Sequence, residues 1–370
     1  MPELGQAEEE FTGNGALEVE DGAEADETIA PVRYDITSYG ADYDAEGLVK
    51  RLQREDILIP EFQRSYIWKL SEASRFIESL LLGLPVPGVF LAREAETNKF
   101  LVIDGQQRLK TLQFFYEGVF NPKLGEKAHR VFALTGVQKR FEGKTYQSLD
   151  ERDRLRLNDS IIHTTVVRQE APPGDDTSMY HIFERLNSAG RRLTEQEIRC
   201  AIYYGALIDE IKSLNEDASW RSIFGKKNER LKDQELILRF LALYYDEANY
   251  QRPMAEFLNK FASRHRNADA AFLQECRLLF IRTTNVAWAG LGRKAFRLGR
   301  AMNAAVFDSA MVGLAHRIHN DGLINPEKFA SIYGELLSDA EYMQAVSRST
   351  ADKEFVSLRL RKATERFAIL

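Results

Sequence analysis

Asp104-Gly105-Gln106-Gln107-Arg108 places a carboxylate, a glycine, two amide side chains and a guanidinium in five consecutive positions. That set suits phosphate. A helix that starts after a glycine turn offers unpaired backbone N–H groups, and its dipole favours an anion there. Arg108, in the first turn, adds a forked cation. Gln106 and Gln107 add neutral donors and acceptors. Asp104, just ahead of the turn, could orient an arginine, a water or a metal ion, or serve only as the helix N-cap.

Two further stretches carry side chains of the same kind. In Pro60-Glu61-Phe62-Gln63-Arg64-Ser65-Tyr66-Ile67-Trp68 the apolar residues suffice for packing. Gln63 and Arg64 are left either to face the anion held near Arg108 or to form an ordinary surface loop. In the stretch from Phe183 to Arg199, Asn187 to Gly190 ends one helix and Thr194-x-x-Glu197 opens the next as a capping box. Arg185, Arg191, Arg192 and Arg199 cluster around that turn. They could complete a phosphate pocket, touch a nucleic-acid backbone, or form a solvated basic turn.

Positioning these groups requires a strand–turn–helix and a scaffold behind it. Phe100–Ile103 reads as a buried strand, and Leu109, Leu112, Phe115 and Tyr116 share one face of a following helix. Val89–Leu91 pairs with Phe100–Ile103 as a hairpin, and Ile57–Ile59, Phe132–Leu134 and Ile161–Val167 are further strands. Ser71 is expected to cap a helix over 72–82 that Gly83 closes, and Ser148-x-x-Glu151 to open a short charged helix. Pro172-Pro173-Gly174 marks a boundary. Beyond it the pattern is helical, at about 178–188, 194–213, 233–248, 253–265, 269–287, 301–319, 326–337 and 350–367. The expectation is an α+β domain at 31–172 and an all-helical domain at 177–370.

Residues 1–30 carry ten acidic side chains and no Lys or Arg, with few bulky apolar residues. They are expected to be disordered and to solubilise rather than to mimic nucleic acid. Residues 31–370 then hold 50 basic against 46 acidic residues, a mildly basic body compatible with DNA. Cys200 and Cys276 fall in helical patterns and are expected to be core thiols. With no secretory signal and no apolar run of spanning length, a cytoplasmic protein without membrane partners is expected. Gly143-Lys144-Thr145 lacks the earlier glycine of a phosphate loop. His316-x-x-His319 has metal-ligand spacing without a supporting motif, and no metal site is assigned.

The three stretches, in their order and separation, resemble the GmrSD-type restriction endonuclease N-terminal domain family. Ile59 to Trp68 is similar to its opening motif, Ile103 to Leu109 to its DGQQR signature, and Phe183 to Arg199 to its third block. Met302 to Asp308 resembles a late block. The resemblance implies a ParB/sulfiredoxin-like N-terminal domain, in which a glycine-plus-basic turn at a helix start holds nucleotide phosphates. It implies an NTP-binding, NTP-hydrolysing, DNA-associated sensor of an anti-phage restriction system. Asp104, Gln107 and Arg108 are then the catalytic candidates. Gln63, Arg64, Gly105, Gln106, Arg108, Arg185 and Asn187 would bind nucleotide, with Mg²⁺ as a possible companion, and Arg191, Arg192 and Arg199 would contact DNA. Many relatives carry an HNH-type nuclease domain that is not recognisable here, so a separate nuclease subunit is an expected partner. The alternatives are a DNA-binding module without catalysis and a ParB-like DNA nuclease.

Overall fold

The computed structural model describes residues 19–20, 35–60, 66–93, 98–122, 129–171, 182, 193–321 and 324–370. The fold is α+β: a mixed sheet comes first and helices follow. The chain divides into two compact units, Val32–Ile202 and a second made of Tyr203–Leu370 with the N-terminal residues up to Pro31. The division falls after Ile202 rather than at Pro172-Pro173, so the helix that follows Thr194 counts with the sheet unit.

Nine strands are described: β1 (Val19–Glu20), β2 (Asp35–Gly40), β3 (Tyr43–Asp44), β4 (Ile57–Leu58), β5 (Val89–Arg93), β6 (Phe100–Asp104), β7 (Ile161–Ile162), β8 (Thr164–Ala171) and β9 (Met302–Asn303). Five of them form one sheet in the order β2-β8-β5-β6-β4. The expected hairpin is present, β5 running antiparallel to β6, while β8 and β4 lie parallel to β5 and β6 respectively. Phe132–Leu134 is not a ladder strand. Its neighbourhood holds a single bridge, Val119 to Val131, and Phe132 and Leu134 are apolar because they are buried, Phe132 edge-on to Phe115 at 5.1 Å.

Helices α1 (Ala45–Gln53), α2 (Leu70–Leu82), α3 (Gln106–Glu117), α4 (Glu151–Asn158) and α5 (Glu195–Ile202) belong to this unit. Gly83 ends α2 in the left-handed region, as expected, but the start is at Lys69, where Glu72 reaches back to the Lys69 amide. Ser148 does not open α4: it closes a reciprocal cap with Thr145, and Asp150 precedes α4. The Thr194–Glu197 capping box forms as read, with Glu197 Oε2 2.6 Å from the Thr194 amide.

The second unit is helical: α6 (Ala206–Leu214), α7 (Ala218–Phe224), α8 (Lys232–Asp246), α9 (Met254–Arg264), α10 (Ala270–Leu291), α11 (Ala304–Asp321), α12 (Pro326–Leu337), α13 (Ala340–Ser347) and α14 (Lys353–Phe367). The helix expected over 194–213 is two helices, broken at Tyr203-Tyr204-Gly205, where Gly205 is fully extended and passes the Arg266 carbonyl too closely for a side chain. α11 is the apolar centre, with Phe307, Met311, Val312 and Leu314 fully enclosed. Gly313 lets it meet α14: a Cβ there would lie 2.8 Å from the Ala363 carbonyl carbon. Within residues 1–30 only Val19–Glu20 is described, paired in parallel with Met302–Asn303. Cys200 and Cys276 are buried thiols that form no disulfide among the described residues, as expected.

Candidate functional site

The register of β5 against β6 builds the site. Phe90 faces Asp104, with a β-bulge between Phe90 and Leu91 that adds local twist. The residue after β6, Gly105, therefore abuts Val89, and Arg108, one helical turn on, comes within reach of Gly88. Gly105 has φ 102°, ψ 8°, and a Cβ on it would lie 2.4 Å from Val89 Cγ1. Only glycine fits here. Leu109 donates the first helical bond to the Gly105 carbonyl at 3.0 Å. No side chain of the cap residue covers the start of α3, and Asp104 is not the N-cap. Behind the turn Leu109, Leu112 and Phe115 are fully buried on the face the sequence assigned them.

Arg108 and Asp104 act as a pair. Arg108 Nη2 donates to Asp104 Oδ2 at 2.8 Å and to the Gly88 carbonyl at 2.9 Å. The side chain of Asp104 is 46 % exposed against 16 % for Arg108, so the carboxylate keeps a face to solvent while the guanidinium ties β6, the β5 entry and α3 together. Among the described residues, Arg108 Nε is buried with no hydrogen-bond partner.

Gln107 joins the first two motifs. Its Oε1 accepts from the Ile67 amide at 3.1 Å and from the Trp68 amide at 3.4 Å. One turn on, Thr111 Oγ1 donates to the Gln107 carbonyl and shares a 2.7 Å bond with the Tyr66 hydroxyl. Burial pushes the Tyr66 phenol up to about 12. The chain is thus fixed to α3 from Tyr66 onward, a link that spacing alone did not reveal. Two glutamines side by side were the available signal, since neither is a favoured cap.

Gln63, Arg64, Arg185, Asn187, Arg191 and Arg192 lie outside the described residues, and so does most of the helix expected at 178–188. Arg199 is described, and its expected contact with DNA is corrected. Its side chain has no exposed area and donates to Gln196 Oε1. A cation enclosed in this way cannot meet a solvated phosphate backbone. The sequence placed it outside because arginine is rarely fully buried without a partner. Here α5 is enclosed from Gln196 through Ile202.

Among the described residues no group of three or more His, Cys, Asp or Glu could hold a metal ion, and no helix is long and apolar enough to cross a membrane. His316 stacks on Tyr244 with ring centroids 4.6 Å apart, and burial pulls its imidazole below the usual range, a packing role. The sequence reading missed a buried charge cluster in the helical unit. Asp308 Oδ1 and Oδ2 accept from Arg239 Nε and Nη2 at 3.1 and 2.7 Å, and Arg359 Nη2 adds a longer contact at 3.4 Å. Its three members stand 69 and 51 residues apart, so no local pattern announces them.

Residues 46–204 match the family model described as GmrSD restriction endonuclease, N-terminal domain. All three motif stretches lie inside that span. Among curated proteins no significant match is found.

Proposed function

Because residues 46–204 are a GmrSD-type restriction endonuclease N-terminal domain, we propose that this chain serves a restriction system as its nucleotide-binding, DNA-associated component. The observation that supports the reading best is the Gly105 turn. It brings backbone amides, the solvent-facing Asp104 carboxylate and the Arg108 guanidinium to one helix start. An anion seated there gains from the helix dipole and the oriented N–H groups.

The residues present suit a nucleoside triphosphate. Gly105 and Gln106 would seat phosphate oxygens through their backbone, and Gln63, Arg64, Arg185 and Asn187 would close the pocket. A Mg²⁺ ion fits this reading, since in NTP sites it is held by one or two carboxylates plus the phosphates and water. Asp104 is the carboxylate in place. Bound there, the ion would neutralise phosphate charge. In hydrolysis Asp104 would orient the attacking water. Arg108 would stabilise developing charge, a type of contribution worth about 3–4 kcal/mol of barrier. Gln107 is assigned a positioning role, because its side-chain oxygen already holds the Ile67 and Trp68 amides. DNA cleavage itself is assigned to a separate nuclease subunit.

The test is a thermal-shift screen with the four NTPs, with and without Mg²⁺. A ligand at about 100 times its Kd adds about 2.7 kcal/mol to the folded state. We expect one or more NTPs to raise Tm, and Arg108→Ala and Arg108→Lys to lose that rise and any NTP-dependent phosphate release. No shift with any NTP sinks the nucleotide reading and leaves a DNA-binding module. Equal phosphate release by wild type and both variants removes Arg108 from the mechanism.

A further inference from the structure

From Cys276 to Phe307 the chain contains no Asp or Glu, yet it carries Arg277, Arg282, Arg293, Lys294, Arg297 and Arg300. Four of these fall in the loop between α10 and β9. This loop is a built object. Ala295 and Phe296 are fully buried, Phe296 edge-on to Phe307 at 5.2 Å. Phe296 takes φ 61°, and its carbonyl accepts from the Asn303 amide at 2.9 Å. Arg297 bridges to Met302, and its guanidinium is spent inward on the Arg293, Ala295 and Ile223 carbonyls, each at 2.9 Å. Arg297 is therefore the brace of the loop.

With the brace inside, the remaining cations point out. Arg293, Lys294 and Arg300 are exposed, and none makes an ion pair or side-chain hydrogen bond with another described residue. The bond from Arg297 to Ile223 also brings up the turn after α7, whose exposed Lys226 and Lys227 both have partners already, Lys227 with Glu216. Three cations with no ion pair among the described residues, on an acid-free loop, form a positive patch. Protein partners prefer an apolar centre to such a patch, and Leu298 is the loop's one exposed large apolar side chain. Polyanion phosphates match it better, since arginine forks suit phosphate oxygens.

We infer that the Arg293–Arg300 loop is a docking surface for the phosphate backbone of DNA. It lies in the helical unit, outside the matched domain, and does not depend on the nucleotide reading. It contacts backbone rather than bases, so it adds affinity without sequence choice. A rival occupant stands beside it: Val19–Glu20 pairs with Met302–Asn303, at the end of the loop, and residues 1–30 carry ten acidic side chains and no Lys or Arg.

The experiment measures binding of a fluorescein-labelled, mixed-sequence DNA duplex to the full chain across a salt series. Wild type is compared with Arg293→Ala/Lys294→Ala/Arg300→Ala and with Arg293→Lys/Arg300→Lys. Every phosphate that a variant no longer neutralises lowers the salt slope by about 0.9. The slope of the alanine variant should therefore be smaller by about 2–3, so that raising salt from about 50 to about 200 mM costs it about forty-fold less affinity than wild type. The lysine variant should keep most of both. Any Tm rise with nucleotide should be the same in all three proteins, which separates this outcome from failure of the nucleotide site. Equal affinity and equal slope for wild type and the alanine variant overturn the assignment and leave the acidic N-terminal segment as the loop's partner.

Discussion

Gly105→Ala is the sharpest test of how the site is built. The new methyl would sit 2.4 Å from Val89 Cγ1, 2.9 Å from its Cβ and 3.2 Å from its Cα. Val89 cannot step aside, because it is buried at the start of a central strand paired on both sides. Holding a non-glycine residue at positive φ costs about 1–2 kcal/mol, and crowding a packed site costs about 1–3 kcal/mol. The expected loss is about 2–5 kcal/mol in the sheet unit. At about 1.4 kcal/mol per tenfold, that raises the opened population by about thirty-fold to a few thousand-fold. Amide exchange of β6 and α3 reads this locally, without assuming that both units unfold together. Val89→Ala supplies the internal control. That background removes the 2.4 Å contact with Cγ1 but keeps Cβ at 2.9 Å, so Gly105→Ala should cost less there by part of the about 1–3 kcal/mol of crowding, the φ share and the Cβ contact remaining. A loss under about 0.5 kcal/mol, or an undiminished loss in the Val89→Ala background, refutes the close-approach argument.

Gln107→Leu should raise exchange of the Ile67 and Trp68 amides and loosen the link between the first two motifs, whereas Gln107→Glu, which keeps an acceptor, should not. Tyr66→Phe should cost about 1 kcal/mol by removing the hydrogen bond to Thr111. Because burial holds the native Tyr66 phenol near 12, against about 10 when unfolded, its stabilisation is present below about pH 10 and declines as pH rises toward 12. Urea midpoints across that range should fall less in Tyr66→Phe than in wild type, and parallel curves would contradict the assignment. Asp308→Asn should destabilise the helical unit by about 3–5 kcal/mol, because Arg239 and Arg359 are left buried without their carboxylate. Urea unfolding followed through Trp220, which packs 5.4 Å from Phe307, reads it.

Local chemistry was legible from the chain alone wherever neighbours in sequence are neighbours in space. The β6–Gly105–α3 turn, the hairpin, the apolar face of α3 and the Thr194 cap all depend on contacts within a few residues, so periodicity and spacing recovered them. Helices α7 and α13 escaped because, at seven and eight residues, they are about two turns long, too short for a period to show. What required the tertiary structure is how the site's side chains are spent. Arg108 looked like a cation held by Asp104 at most, but its guanidinium also reaches the Gly88 carbonyl, 20 residues away in sequence. Gln107 looked like a reacting group, but it holds amides about forty residues upstream. Arg199 looked like a surface charge, but it lies on the fully buried stretch of α5. In each case the side chain's partner comes from a distant segment or its burial from the whole unit, and strand register and helix packing, unlike residue type, are not written locally.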